Sequence, residues 1–163
     1  MAQIDLPAGL MPSLKDRLLD PDSMGTPGKP GYNLAQFVES VREDLEDLLN
    51  TRRSFGVLER HYAELARSVA TYGLPDLTSL DTSTPGKREQ LVETIEKIIT
   101  THEPRLRNVR AAVIRSRNVD LRAQFHIDAE LRANPAPKVT FETFVELVTG
   151  HTTVHDASAE MSG

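Results

Sequence analysis

The stretch LVETIEKIITTHEPRLRNVRAAV, residues 91–113, changes its hydrophobic spacing midway, and this change indicates the fold class. In the first half, apolar residues recur at steps of three and four, which is the repeat of an α-helix with one buried face. In the second half, apolar and polar residues alternate, which is the repeat of a half-buried strand. Pro104 disfavours helical geometry at Glu103, so the pattern predicts a helix from about Pro85 to about His102.

Two further helices are predicted before this change. Residues 33–50 carry the strongest helical pattern, with Asn33 as the N-cap and one apolar stripe. The stripe consists of Leu34, Phe37, Val38, Val41, Leu45, Leu48 and Leu49. Residues 57–71 give a weaker helix with Val69 on its apolar side, and Gly73 follows as a left-handed terminator.

Strand patterns fill the C-terminal half. The clearest alternation of apolar and polar residues covers residues 121–131, a second covers 139–147, and a short strand is expected at 152–155. Consecutive strands with short connections predict an antiparallel meander with one solvated face. Helices first and strands second predict an α+β fold, in which N-terminal helices pack on a small, mostly antiparallel C-terminal sheet.

The division of the chain follows from its composition. Residues 1–31 are predicted to form a flexible N-terminal arm, because prolines and glycines crowd residues 25–31. Within this arm, Ser13 is a candidate N-cap for a short helix. Residues 32–155 are predicted to form a single α+β domain, and residues 156–163 a disordered tail.

Composition and charge exclude several classes of protein. The 163 residues are 39% hydrophobic and 26% charged, which fits one soluble globular domain. The chain has no cysteine, so it has neither disulfides nor cysteine metal ligands. Its net charge of −5 argues against nucleic acid as the main ligand. Residues 1–10 lack a signal-peptide pattern and no stretch is apolar enough to span a membrane, so a cytoplasmic location without membrane insertion is expected.

No pattern for catalysis is present. The motifs of dinucleotide-binding proteins, P-loop proteins, zinc proteases and α/β-hydrolases are absent from the sequence. His151 and His155 are four residues apart, but the alternating pattern around them disfavours a helical metal site, so no metal or other cofactor is expected. Glu43, Glu46 and Asp47 lie on the solvent face of a predicted helix, whereas a catalytic acid needs an apolar pocket. The chain is therefore predicted not to be an enzyme.

Two local features admit a structural and a functional interpretation. Arg52 and Arg53, which follow the strongest helix, are either exposed cations at its end or a pair that reaches a carboxylate of this chain or of a partner. Glu103, Pro104 and Arg105 form either a rigid turn with a surface ion pair or a stiff, charged knuckle presented to a partner. Both charged side chains of this corner are expected to be exposed, so that replacing them by alanine leaves the fold intact.

Four segments, in this order, resemble the TssE family of type VI secretion baseplate subunits. They are PSLKDRL at residues 12–18, SVREDLEDLLNTRR at 40–53, YGLPDL at 72–77 and EPRL at 103–106. This family is similar to the phage T4-type baseplate wedge proteins of the "lysozyme-like" family. The resemblance extends from about Pro12 to about Val154, and the second segment is the most specific.

The resemblance implies a structural subunit of a cytoplasmic baseplate, at the inner membrane, that links the wedge to the contractile sheath and helps to initiate sheath assembly. In this family the corner at Glu103, Pro104 and Arg105 is implicated in docking to the core bundle of the wedge. Arg52 and Arg53, within the second segment, are further candidate partner-binding residues. The β-region of the family resembles part of a sheath protein, which implies strand exchange with the first sheath ring. An exposed sheet edge can accept such a strand through its unpaired N–H and C=O groups.

Two other functions are alternatives to the baseplate function. A peptidoglycan hydrolase would fit the "lysozyme-like" label, but no carboxylate pair is expected to be buried and no export signal is expected. A small regulatory binder of a protease or of a transcription adaptor is the third class, because a related fold is used in that way. A pull-down distinguishes the regulatory binder from the baseplate subunit, because recovery of sheath and wedge proteins supports the baseplate function.

Overall fold

A computed structural model describes residues 10, 12–19, 31–53, 64–65, 68–75, 85–114, 122–146 and 149–157. The helices are α1 (Leu14–Leu19), α2 (Leu34–Asn50) and α3 (Pro85–His102), with a 3-10 helix at Val69–Thr71. The strands are β1 (Leu106–Ile114), β2 (Arg122–Leu131), β3 (Lys138–Glu146) and β4 (Thr152–Asp156). The predicted α+β class, with helices before an antiparallel sheet, is confirmed.

Helix α2 begins at the predicted cap. The Asn33 side chain accepts a hydrogen bond from the backbone N–H of Gln36 at 2.9 Å, and the Gln36 side chain accepts one from the backbone N–H of Asn33 at 3.0 Å. This reciprocal pair satisfies two backbone donors at the start of the helix. Phe37, Val41, Leu45, Leu48 and Leu49 of the apolar stripe are buried, whereas Val38 is only partly buried and Leu34, in the first turn, is exposed.

The four strands pair in chain order, each antiparallel to the next. The register of β1 against β2 shifts between Arg107 and Arg110, and Asn108 adopts a left-handed φ of 54° there. This bulge inserts one extra residue into β1, so that Leu106 and Val109, three positions apart, are both buried. The alternating pattern predicted the strand but not the bulge.

The helices cover one face of the sheet. Helix α3 packs on β1 at one side of the sheet, and α2 packs on β4 at the other. Phe141, Ile127, Leu45 and Ile99, which come from two strands and both helices, are among the most deeply buried side chains. The other face of the sheet carries mostly polar side chains, such as His126, Glu142 and Thr153, together with Phe144, and all four are at least partly exposed.

The helix predicted over residues 57–71 is wrong where the structure describes it. Val69–Thr71 forms a 3-10 helix, and Val69 is 90% exposed instead of buried. The Ser68 hydroxyl accepts a hydrogen bond from the backbone N–H of Ala70, so it caps a new turn in place of a continuing helix. Residues 54–63 lie outside the described residues.

Gly73 lies beside the C-terminal end of α2. The N–H of Leu74 donates to the Thr51 carbonyl at 2.8 Å, and the N–H of Arg53 donates to the Leu74 carbonyl at 2.9 Å. The φ of Gly73 is 101°, as predicted for a left-handed position, and a Cβ there would overlap the Thr51 carbonyl oxygen. Glycine therefore allows the main chain after the 3-10 helix to form a parallel bridge with the chain after α2.

The segment predicted as an arm contains α1, which follows the predicted cap. The Ser13 hydroxyl accepts a hydrogen bond from the backbone N–H of Asp16 at 3.1 Å, and the N–H of Tyr32 donates to the Leu10 carbonyl at 2.9 Å. At the other end of the chain, β4 continues to Asp156, and residues 158–163 of the predicted tail lie outside the described residues. Of the helices described, none is both long and apolar enough to cross a membrane.

Candidate functional site

The corner between α3 and β1 consists of Glu103, Pro104 and Arg105. The N–H of Glu103 donates to the Ile99 carbonyl at 2.8 Å, which completes the last turn of α3. The Glu103 carbonyl accepts from the N–H of Leu106 at 3.2 Å, which closes the turn into β1. The Pro104 ring lies on the surface of this turn.

The Arg105 guanidinium binds the Glu103 carboxylate in a bidentate manner. Its Nε donates to Glu103 Oε1 at 2.7 Å, and its Nη2 donates to Glu103 Oε2 at 2.5 Å. The backbone N–H of Arg105 also donates to Glu103 Oε1, at 3.1 Å. Three hydrogen bonds between residues two positions apart hold the turn in one conformation, and paired charge-assisted bonds of this kind are strong.

Helix α2 supplies the other partners of Arg105. Nη2 donates to Asp44 Oδ2 at 2.6 Å, and Nη1 donates to Ser40 Oγ at 3.1 Å. The guanidinium carbon lies 5.8 Å from the centre of the Phe37 ring, within the range of a cation–π contact. Phe37, Ser40 and Asp44 are three and four residues apart, so they share one side of the helix.

Helix α1 extends this network. The Ser40 hydroxyl donates to Asp16 Oδ2 at 2.7 Å, so Ser40 lies between the Asp16 carboxylate and the Arg105 guanidinium. Lys15, the preceding residue of α1, pairs with Asp47 on α2 and lies 3.8 Å from Asp44. The corner, α2 and α1 are thus joined by one continuous set of polar contacts.

Burial and charge shift the pKa values in this network. Burial lowers the pKa of Arg105, but the hydrogen bonds and charges of Glu103 and Asp44 outweigh it, so the pKa of Arg105 lies above its usual value. Burial is the largest influence on Asp44 and raises its pKa above the usual value, although Arg105 opposes this shift. Arg105 therefore stays charged, whereas ionised Asp44 is stabilised less than it would be in water.

The expectation that Glu103 and Arg105 are exposed is wrong. Glu103 is only 4% exposed, and the Arg105 side chain only 19%. Of the two carboxylates that bind the same guanidinium nitrogen, Glu103 is buried and Asp44 is only half-buried. The physical reason is that Phe37, Ser40 and Asp44 of α2 cover the charged side of the turn.

An open recess of about 370 Å³ lies beside the corner. Its lining includes Pro104 and Arg105 from the corner, Lys15 from α1, and Tyr72 and His102. The rings of Tyr72 and His102 meet edge to face, with centroids 5.5 Å apart. The recess therefore offers an exposed proline, an aromatic wall and charges of both signs to a partner.

Arg52 and Arg53 lie elsewhere, next to the chain around Leu74 and Thr149. Arg52 Nη2 donates to the Thr149 carbonyl at 2.9 Å, and the same guanidinium lies against Gly150. The backbone N–H of Arg53 binds the Leu74 carbonyl, as described above. These contacts fix the end of α2 on its neighbours.

A second candidate surface is the outer edge of β1. Strands β1 and β4 are the two ends of the sheet order, so each has one strand neighbour among the described residues. The N–H of Ala111 donates to Glu96 Oε1 of α3 at 2.8 Å, so this residue directs its backbone groups away from β2. Because the direction alternates along a strand, Val113 directs its N–H and C=O outward too. No residue in the described part of the chain binds these two groups of Val113.

Sequence reasoning missed three residues of the corner. Phe37 was placed in the core stripe, and neither Ser40 nor Asp44 was assigned a contact. The spacing of Ser40 between Phe37 and Asp44, beside a buried stripe, was a signal that a polar contact forms on that side of α2. Neither Arg105 nor Glu103 could be assigned to this contact from sequence, because 61 residues separate Arg105 from Asp44.

Metal binding has no visible basis in the described residues, among which no group of three or more potential ligands is close enough to hold an ion. His126 and Glu142, the cross-strand pair nearest to such an arrangement, face each other at 3.6 Å on the polar face of the sheet. The arrangement around Arg105 is thus one of charge pairing and not of metal coordination.

A family model described as baseplate wedge protein gp25 matches residues 35–136 of this chain. That range contains nearly all of α2, the corner, β1 and β2. One chain of "The baseplate complex from the type VI secretion system" aligns with a TM-score of 0.47 and 21% sequence identity, covering 68% of this chain and 95% of that chain. No curated protein matches the sequence.

Proposed function

Because this chain belongs to the family of the baseplate wedge protein gp25, we propose that it is a structural subunit of a type VI secretion baseplate, located at the cytoplasmic face of the inner membrane. The single observation that carries this proposal is the family match, which spans α2, the corner and the first half of the sheet. The four segments that resemble the TssE family support the secretion-system form of the baseplate. In this proposal the subunit links the baseplate wedge to the contractile sheath and helps to initiate sheath assembly.

The corner is the proposed contact with the core bundle of the wedge. Pro104 is exposed, while Glu103 and Arg105 hold the turn beneath it through the bidentate pair. A turn that is already rigid loses little conformational freedom on binding, so more of the contact energy remains available for affinity. Glu103 and Arg105 act here mainly by positioning Pro104 and the adjoining recess. Arg52, which is exposed, and Arg53 remain further candidates for partner contact.

The outer edge of β1 is the proposed contact with the sheath. Val113 directs one N–H and one C=O away from β2, and the described residues leave both without a partner. An extended strand of a sheath protein can therefore extend the sheet through main-chain hydrogen bonds. The sheet would then gain a fifth strand, on the side where α3 packs.

The corner contact is tested with Pro104→Lys in co-purification with the core-bundle subunits. The longer charged side chain obstructs a close contact, while its exposed position leaves the fold nearly unchanged, at a cost below about 1 kcal/mol. Arg107→Ala, an exposed change just after the corner, is the matched control. We expect loss of co-purification for Pro104→Lys alone. Unchanged binding with a folded protein would remove the corner from the proposal.

The sheath contact is tested with Val113→Pro against Val113→Thr. Proline removes the outward N–H and is tolerated on edge strands, whereas threonine keeps both the N–H and the β-branched shape. We expect Val113→Pro to lose co-sedimentation with sheath protein and Val113→Thr to keep it. Equal co-sedimentation of the two folded variants would contradict strand addition at β1.

Nothing in the site favours the peptidoglycan hydrolase alternative. A glycosidase holds the sugar bond between its two carboxyl groups. Here the Arg105 guanidinium lies between Asp44 and Glu103, and its Nη2 binds both at 2.6 and 2.5 Å. We therefore propose a protein without enzymatic activity. A zymogram with cell-wall digestion that is lost on Asp44→Asn would overturn this part of the proposal.

A further inference from the structure

Three polar side chains of α2 bind the outer edge of β4. Asn50 Nδ2 donates to the Thr152 carbonyl at 2.8 Å, and Asn50 Oδ1 accepts from the N–H of Thr152 at 2.8 Å. Glu46 Oε2 accepts from the N–H of Val154 at 3.1 Å, and Arg42 Nη1 donates to the Val154 carbonyl at 3.0 Å. Four consecutive outward-facing backbone groups of β4 thus have side-chain partners.

These four groups are the ones that a further strand would use. The bonds of β4 to β3 come from the alternate positions, as shown by the N–H of Glu146, which donates to the His151 carbonyl at 2.8 Å, and the N–H of Ala157, which donates to the Thr140 carbonyl at 2.9 Å. Thr152 therefore directs its backbone groups to the side of β4 that faces away from β3.

The spacing of Arg42, Glu46 and Asn50 along α2 matches the spacing of the outward backbone groups along β4, and the dimensions of a helix and a strand explain why. Four residues of an α-helix rise about 6 Å, and two residues of a strand rise about 6.7 Å. Side chains at every fourth position of α2 can therefore meet every second residue of β4. Asn50 meets Thr152 and Glu46 meets Val154, in the order that antiparallel elements require, and Arg42 is joined to Glu46 by an ion pair of 2.9 Å.

We propose that Arg42, Glu46 and Asn50 form a side-chain cover, which keeps β4 from pairing with another strand and so directs strand addition to β1. The strand that the cover excludes is β4 of a second copy of this chain, which would pair antiparallel with it across a two-fold axis. The choice of β1 as the edge that accepts a strand rests on the proposed function, whereas the cover on β4 does not. The two edges of the sheet differ in how their backbone groups are bound. On β1, the Glu96 side chain binds the N–H of Ala111. On β4, side chains of α2 bind both the N–H and the C=O of Thr152 and of Val154.

The test is the self-association of the isolated full chain, measured by sedimentation velocity over a range of concentrations. The double variant Glu46→Ala with Asn50→Ala frees three of the four backbone groups. We expect it to associate about tenfold more strongly than the wild type, because freed edge groups form main-chain hydrogen bonds with a second copy. Glu93→Ala, an exposed acid on α3 with the same charge change, should leave association unchanged.

Amide hydrogen exchange locates the contact. In dilute solution the Thr152 and Val154 amides should exchange faster in the double variant than in the wild type, and they should regain protection as the protein associates. A folded double variant that associates no more than the wild type overturns the proposal. Association that protects only β1 amides overturns it as well.

Asn50→Asp keeps the proposal testable if the double variant does not fold. Aspartate has the shape of asparagine but places an oxygen where Nδ2 donated to Thr152, so it loses one bond of the cover without leaving a cavity. We expect faster exchange at Thr152 and stronger self-association, and unchanged values of both would contradict the cover. No sheath protein is present in these measurements, so their failure is distinct from a failure of strand addition at β1.

Discussion

The Arg105 guanidinium binds the Glu103 carboxylate through two hydrogen bonds, Nε to Oε1 at 2.7 Å and Nη2 to Oε2 at 2.5 Å. A single residue, Pro104, separates the two in the chain. The same Nη2 binds Asp44 of α2. One side chain thus fixes the shape of the turn and attaches the turn to the helical layer. The stability of the fold and the presentation of Pro104 depend on the same contacts.

Replacement of Arg105 by alanine should destabilise the fold strongly. The change leaves the buried Glu103 without its cation and the half-buried Asp44 with Lys15 alone, and removing one partner of a buried ion pair costs about 3 kcal/mol or more. Urea unfolding measures the difference. The exposed pair of Arg107 with Glu130 is the control, and Arg107→Ala should cost less than about 1 kcal/mol. Equal losses of unfolding free energy in Arg105→Ala and Arg107→Ala would show that Arg105 contributes no more to stability than a surface charge.

The double replacement Glu103→Ala with Arg105→Ala should also destabilise the fold, contrary to the expectation from sequence. It removes both members of the bidentate pair and leaves the half-buried Asp44 with Lys15, 3.8 Å away, as its remaining cation. The loss should be smaller than the sum of the two single losses, because the residues contact each other. A double-mutant cycle in urea gives this coupling, and additive losses would contradict a shared ion pair.

Gly73→Ala should destabilise the fold by more than about 2 kcal/mol, because its φ of 101° strains any side chain and its Cβ would overlap the Thr51 carbonyl. Gly86 of α3 is the matched control, since nothing lies within 4 Å of a Cβ placed there. Gly86→Ala should be neutral or slightly stabilising. Thermal unfolding compares the two variants, and a Gly73→Ala protein as stable as the control would contradict the close approach.

Asp16 and Asp44 should titrate on opposite sides of the usual aspartate pKa of 3.8. Burial acts to raise the pKa of Asp16, but hydrogen bonds from Ser40 and Ser13 outweigh it and lower the value. The Asp16 contribution to stability is therefore present above pH 3.8 and is lost as the pH falls through its lowered pKa. For Asp44, whose pKa is raised mainly by burial, the contribution is present below pH 3.8 and is lost as the pH rises through its pKa.

Carbon-13 NMR of the side-chain carboxyl groups measures both titrations directly. Ser40→Ala removes one donor to Asp16, so its pKa should rise towards 3.8. A wild-type protein in which Asp16 titrates above Asp44 would show that the two environments are assigned incorrectly.

Asn108→Gly should be more stable than Asn108→Ala by about 1 kcal/mol, because only glycine adopts the left-handed φ of 54° without strain. Both changes remove the hydrogen bond from Asn108 Nδ2 to Glu130, so the comparison isolates the backbone. Chemical denaturation of the two variants gives the difference. Equal stabilities would indicate that the bulge of β1 relaxes when the side chain is shortened.

Local patterns predicted much of the fold. The period of three and four residues placed α2 and α3, and the Asn33 cap fixed the first residue of α2, since both depend on neighbours along the chain. The 3-10 helix at Val69–Thr71 was missed because a serine cap competes with a weak helical pattern. The bulge at Asn108 was missed because a strand pattern records which residues alternate and not how a strand pairs with its neighbour.

Local sequence patterns are sufficient to predict that helices precede an antiparallel meander and that Glu103, Pro104 and Arg105 mark the junction between them. Those properties depend on hydrophobic period and on the fixed φ of proline, which act within a few residues. The packing of distant segments, in contrast, buries Glu103, joins Arg105 to Asp44, and brings Glu46 and Asn50 of α2 onto the backbone of β4. The contacts of Arg105 with Asp44 and of Glu46 with Val154 join residues 61 and 108 positions apart. Such pairings depend on how the helices pack on the sheet, and local patterns do not encode that packing.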